Sequence, residues 1–215
     1  DRPTVLCEYT HAMGNSCGDV KDYWDLIYND DVYTGGFVWE FTDHAIKTEK
    51  GFIYGGDNGD ELIHDGNFCV DGLVSPDRKI KSSLKEVKKI YENLVAERVG
   101  NKIKITSRNY FANIKGDLKL TVKNNGNEVS SKIIAIDIAP NKSVTVSFDI
   151  PKAKGYSCVI WEYSPSADDG LIKAGTVLAK GYFELSEYKF ENNVGKDFDY
   201  VLDEKTGKIT EINVN

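Results

Sequence analysis

The spacing of apolar residues changes near residue 96, and no single type of layer accommodates both patterns. Before that point, short apolar runs alternate with helical spacing; after it, apolar residues recur at every second position. The first pattern is that of βαβ units, in which helices cover a parallel sheet. The second is that of antiparallel strands with one face buried and one wet, as in a sandwich of roughly 100 residues. An α/β region followed by an all-β region is therefore expected, and a chain of 215 residues has room for both.

Within the first region, Pro3 to Cys7 is mostly apolar without alternation, as for a parallel strand buried on both faces. Val20, Tyr23, Trp24 and Ile27 then fall on one helical stripe. Gly36 to Trp39 predicts a second buried strand. Beyond a stretch rich in Gly, Asp and Asn, the spacing of Leu84, Val87, Tyr91 and Leu94 predicts another helix, with Ser83 and Glu86 at capping-box spacing. In the second region the alternation runs through Ile103 and Ile105, then Leu118, Leu120 and Val122, then Val144, Val146, Phe148 and Ile150. Asn125-Gly126 marks a hairpin turn. Phe198 to Val214, with a turn signal over Lys205-Thr206-Gly207-Lys208, reads as the opening of a further β module.

Composition narrows the function classes. With 40% hydrophobic and 28% charged residues, the chain has ample material for a core. A net charge of −7 without a basic stripe argues against nucleic acid as a partner. Apolar runs such as Cys158-Val159-Ile160-Trp161 fall far short of the roughly 20 residues that span a bilayer, so no membrane segment is expected. Neither an initiator Met nor a basic-then-apolar leader opens the sequence, and no compartment is assigned. The four cysteines form no C-x-x-C pair and have no His at zinc-finger spacing.

The candidate chemistry gathers where the first predicted strand ends, at Leu6-Cys7-Glu8-Tyr9-Thr10-His11-Ala12-Met13-Gly14-Asn15-Ser16. In parallel α/β architectures the C-terminal ends of strands carry the functional loops, so Glu8 stands where catalysis usually occurs. A carboxylate that pairs with a scaffold Arg is the equal alternative. His11 either orients a ligand hydroxyl or caps a turn. Trp39 ends the second predicted strand on the same side, and an indole beside carboxylates suits a sugar, whose C–H face packs on an aromatic ring.

Four ordered blocks carry a family resemblance: residues 6–16 as quoted, Gly35-Gly36-Phe37-Val38-Trp39-Glu40-Phe41, Tyr54-Gly55-Gly56-Asp57, and Phe68-Cys69-Val70-Asp71-Gly72-Leu73-Val74. The sequence resembles the large β-galactosidases of glycoside hydrolase family 2. The resemblance implies that residues 1–95 are the C-terminal part of a catalytic TIM (β/α)8 barrel. Residues 96–190 would be an immunoglobulin-like β-sandwich and 191–215 the start of a further module. It implies that Glu8 is the catalytic nucleophile, that His11 binds galactose, and that Trp39 walls the sugar subsite. Asp71 would serve both substrate binding and, with the Phe68 backbone carbonyl, a sodium site. The family pattern has Asn at position 71, so Asp here changes the local charge. His44 and His64 match no functional position and are expected to be surface or loop residues.

Retaining glycosidases need two carboxyl groups about 5 to 5.5 Å apart. In the resembled family the acid/base Glu and the principal magnesium ligands lie on earlier barrel strands, before residue 1. Glu40 and Asp43 are expected to be structural carboxylates. A whole barrel needs roughly 250 residues, so the chain reads as a fragment, inactive alone, of an enzyme that hydrolyses terminal β-galactosides and is expected to be a homo-oligomer. The alternative is a noncatalytic sandwich that binds carbohydrate or protein through aromatics such as Tyr156, Trp161 and Tyr163.

Overall fold

The computed structural model describes residues 2–59, 61, 63–149, 155–186 and 198–214. The first region opens with β1 (Thr4–Tyr9), crosses through α1 (Val20–Asn29) and returns as β2 (Tyr33–Val38). β1 and β2 pair in parallel, as a βαβ unit requires. No strand flanks this pair on the β1 side, and no closed barrel forms among the described residues. A short hairpin of β3 (Ile46–Thr48) and β4 (Gly51–Ile53), a 3-10 turn at Gly55–Asn58 and α2 (Ser82–Ile90) complete the region.

The backbone beyond β2 continues the layer. Glu40 N–H donates to Asp71 O (3.0 Å), Leu73 N–H to Glu40 O (2.8 Å) and Val74 N–H to Phe41 O (3.0 Å). On the other side, Ala12 N–H donates to Trp39 O (2.7 Å) and Trp39 N–H to Tyr9 O (3.2 Å). Segments 9–12, 39–44 and 69–74 therefore lie side by side, although most of the last two is irregular.

Two sequence expectations differ here. The strands expected to be buried on both faces are largely exposed: Val5 is 51% and Phe37 67% accessible. A two-stranded sheet has too few neighbours to cover both faces, whatever its apolar content. The expected capping box is also absent. α2 begins two residues earlier, with Lys81 at the N-cap and no side-chain cap, while Ser83 is buried. Val20 and Val87 still point inward and join Tyr9, Ala12, Cys17 and Leu73 in a small core.

The second region comprises β5 (Leu94–Val99), β6 (Lys102–Ser107), β7 (Ile114–Asn124), β8 (Asn127–Ile138), β9 (Ser143–Ser147), β10 (Ser157–Pro165) and β11 (Ala179–Glu184). They form a three-stranded sheet ordered β5-β6-β9 and a four-stranded sheet ordered β11-β10-β7-β8, with antiparallel pairing throughout. Alternate residues of both sheets meet in one core that includes Leu94, Ile103, Ile105, Leu118, Val159 and Trp161. Ile103, Ile105, Leu118, Leu120, Val122, Val146 and Phe148 are buried in accordance with the period-two pattern. Ile150 lies outside the described residues. Asn125 and Gly126 both take positive φ, 47° and 84°, the geometry that lets a two-residue turn match strand twist.

Beyond, β12 (Phe198–Leu202) and β13 (Ile209–Val214) form an antiparallel hairpin, closed where Gly207 N–H donates to Asp203 O at 2.7 Å. No helix among the described residues is long and apolar enough to cross a membrane.

Candidate active site

β1 delivers Glu8 as its penultimate residue, with an exposed side chain that has no hydrogen-bond or ion-pair partner among the described residues. Strand alternation turns Tyr9 to the opposite side, into the core. There Trp24 Nε1–H donates to the Tyr9 hydroxyl at 2.8 Å, and the Tyr91 hydroxyl bonds the same oxygen. Burial, reinforced by Tyr91, pushes the Tyr9 hydroxyl well above its ordinary pKa. A neutral Tyr9 thus anchors the end of β1 to both helices, and the residue beside it projects outward.

Glu8 lines a cavity of about 440 Å³ together with Thr10, His11, Ser16 and Tyr23. His11 also lines a second cavity, of about 620 Å³, whose wall includes Trp39, Glu40, His44, Phe68 and Asp71. His11, Trp39, Phe68 and Asp71 are thus brought together in one cavity, and Glu8 lines the adjoining one, with His11 common to both.

Asp71 is the hub of the larger cavity. It is 4% accessible, its Oδ2 accepts the Trp39 indole N–H at 3.2 Å, and His11 Nε2 lies 3.7 Å from the same oxygen. The other oxygen, Oδ1, is buried without a hydrogen-bond partner among the described residues. The Phe68 ring stands edge-on to His11, with centroids 6.2 Å apart.

Glu40 faces this group from the side. Burial, and after it the Asp71 charge, raise its pKa, while His44 opposes them. His44 Nε2 is 2.7 Å from Glu40 Oε1, close enough for an ion pair but not aligned as a hydrogen bond. A second carboxylate beside Glu40 adds to that rise, and like charges brought together favour a proton or a cation nearby. An unfilled, buried carboxylate oxygen is a ligand that a hard cation accepts. No cluster of three or more His, Cys, Asp or Glu side chains is placed to hold a metal ion among the described residues.

Sequence reasoning assigned no role to His44 or His64, yet both line the cavity. The His64 ring accepts the Gly66 N–H at 3.1 Å, and His44 pairs with Glu40. The i,i+4 spacing of Glu40 and His44 was the available signal, but it is a helix rule and this segment is irregular.

Residues 1–96 match the family model described as "Glycosyl hydrolases family 2, TIM barrel domain". The chain belongs to glycosyl hydrolase family 2. Relatives of this family 2 chain extend the similarity past the barrel segment. The β-galactosidase of Actinobacillus pleuropneumoniae is 35% identical over 98% of this chain, which corresponds to 23% of that protein. The β-galactosidase of Staphylococcus xylosus is 41% identical over 79% of this chain and 18% of its own length. The family 2 chain thus spans about a fifth of the length of these curated relatives. Among solved structures, a β-D-mannosidase from Dictyoglomus thermophilum is 14% identical over 76% of this chain and 17% of its own, with a TM-score of 0.38.

Proposed function

We propose that this family 2 chain supplies the nucleophile and part of the sugar subsite of a retaining β-galactosidase acting on terminal, non-reducing β-galactosides. The observation that carries the proposal is the convergence of His11, Trp39 and Asp71 on one cavity, with Glu8 at the end of the adjoining strand. Its substrate class is suggested by the β-galactosidase relatives.

In this reading the Glu8 carboxylate attacks the anomeric carbon, the glycosidic bond to the leaving oxygen breaks, and a galactosyl ester forms. A separate acid/base carboxyl group, not among the residues assigned here, protonates the leaving oxygen and then activates water. Trp39 presents its indole face to the sugar C–H groups, and its N–H is held by Asp71. His11 and Asp71 serve the hydroxyls. Asp71 Oδ1 and the Phe68 carbonyl would hold sodium, which supplies positive charge to a coordinated sugar hydroxyl.

By the same reading residues 96–190 form an immunoglobulin-like sandwich, a view supported by the strand orders β5-β6-β9 and β11-β10-β7-β8 in its two sheets. The alternative, a noncatalytic sandwich that binds through aromatics, loses its main support because Trp161 and Tyr163 are each only 3% accessible.

The test is incubation of an active protein containing this sequence with a 2-deoxy-2-fluoro-β-galactoside bearing a good leaving group, followed by peptide mapping. A stable adduct on Glu8 is expected. An adduct on another carboxylate of the turning-over enzyme overturns the assignment.

A further inference from the structure

In the sugar reading, the Asp71 carboxylate serves the ligand while it accepts the Trp39 indole N–H at the edge of the ring, so its loop must be held against that residue. The residues around Asp71 are fixed by segment 39–44. Asp71 O accepts the Glu40 N–H and Leu73 N–H donates to Glu40 O, at 3.0 and 2.8 Å. Between them, Gly72 N–H finds no backbone carbonyl and donates to Asp43 Oδ1 at 2.8 Å. The approach is so close that a Cβ at Gly72 would overlap the Thr42–Asp43 backbone.

Asp43 is 6% accessible, and a carboxylate so buried must be compensated. Lys81 Nζ provides the countercharge, 2.5 Å from the same Oδ1. Lys81 is also the N-cap of α2, and its backbone N–H donates to Leu73 O at 3.2 Å. One oxygen of Asp43 therefore ties segment 39–44, which begins with Trp39, the loop bearing Asp71 and the start of α2 at a single point.

We infer that Asp43 and Lys81 are positioning residues for the sugar subsite: through Gly72 they hold the Asp71 carboxylate against the Trp39 indole. The inference rests on the reading of Asp71 as a substrate-binding residue, but the clamp can be measured without sugar.

The reporter is the indole N–H resonance of Trp39 in ¹H–¹⁵N spectra of the 215-residue chain, assigned with Trp39→Phe. Sandwich amides such as those of Leu118 and Val159 report whether the rest of the fold is intact. Asp43→Ala is expected to move the indole resonance toward that of a solvent-exposed indole, as Asp71→Ala does, with sandwich amides unchanged. The double variant Asp43→Asn with Lys81→Met keeps an acceptor for Gly72 N–H and removes the unmatched cation, so it is expected to restore the wild-type resonance. If Asp43→Ala erases the dispersed signals of the first region, Asp43→Asn and the double variant decide the question. An indole resonance unmoved in Asp43→Ala, or a double variant no closer to wild type than Asp43→Ala, overturns the clamp.

Methyl β-galactoside titrated into an active full-length protein containing this sequence, and into the same variants of it, tests the sugar reading separately. Binding about ten-fold weaker in Asp43→Ala, restored in the double variant, supports both the clamp and the sugar reading, since loss of one charge-assisted hydrogen bond has that size. A wild-type full-length protein without any response counts against the sugar reading, and the indole result still decides the clamp.

Discussion

The two regions spend similar apolar residues to different effect. In the sandwich, alternate side chains along much of β6, β7 and β10 face the opposite sheet, and one continuous core results. In the first region, β1 and β2 are as apolar as sandwich strands, yet Val5, Phe37 and Phe41 stay more than half exposed. A sheet buries side chains only where a second layer covers it, so apolar content alone does not measure how well a segment is packed. The small core of the first region depends instead on the Tyr9–Trp24–Tyr91 hydroxyl knot and on the Asp43–Lys81 pair.

Contacts between the regions include several polar and cationic ones. The Arg108 guanidinium lies 4.0 Å from the Tyr28 ring centroid, and the Lys89 ammonium 5.2 Å from that of Trp161. Lys89 Nζ also donates to Lys180 O at 2.5 Å, and Lys180 N–H to Glu92 Oε1 at 3.2 Å. These bonds fasten the C-terminal end of α2 to the sandwich edge without merging the two cores.

The contrast is open to direct attack. Truncating Trp161 to Ala should destabilise the sandwich by about 3–5 kcal/mol in urea denaturation, whereas Phe37→Ala, although it also removes an aromatic ring from a strand, should stay within about 0.5 kcal/mol. Equal losses would show that β2 is covered after all. Tyr91→Phe takes one hydroxyl partner from Tyr9 and should cost about 1 kcal/mol in the first region. Hydrogen exchange should then accelerate in α1 and β1 but not in β7 or β10; uniform acceleration would mean that the two regions unfold as one.

The smallest effect concerns acid. The Asp137 carboxyl is held below its ordinary 3.8 by the Asn113 amide first and then by Lys115. A depressed carboxyl stabilises the fold above its unfolded value, and that contribution disappears as pH falls through the lower folded one. Asp137→Asn should therefore differ from wild type at neutral pH and converge with it below about pH 3.8. In the first region Asp77, paired with Lys79 and Ser75, sits at about 2, so it should release its contribution at still lower pH. Carboxyl ¹³C titration of both residues distinguishes the two limbs, and identical midpoints would remove the distinction.

Much of this was readable from residue order. The βαβ start, the two helices, the period-two strands and the Asn125-Gly126 turn follow from local rules, since periodicity and turn chemistry act over a few residues. The same holds for the Glu8 block, because neighbours in sequence stay neighbours along a strand. Lys81 illustrates the other class. Nothing in Lys79-Ile80-Lys81 distinguishes one lysine from the next, yet Lys81 alone meets Asp43, 38 positions earlier.

Order along the chain thus determined which segments are strands and helices, which face of each sandwich strand is apolar, and which short blocks carry the candidate site residues. Only tertiary structure decided that β1 and β2 remain exposed, that Asp71 accepts the Trp39 indole N–H, and that a buried carboxylate with its lysine ties the neighbouring backbone. The physical reason is that burial and charge compensation belong to pairs of segments brought together across the sheet. Such a pair has no period and no fixed spacing by which it could be recognised in one dimension.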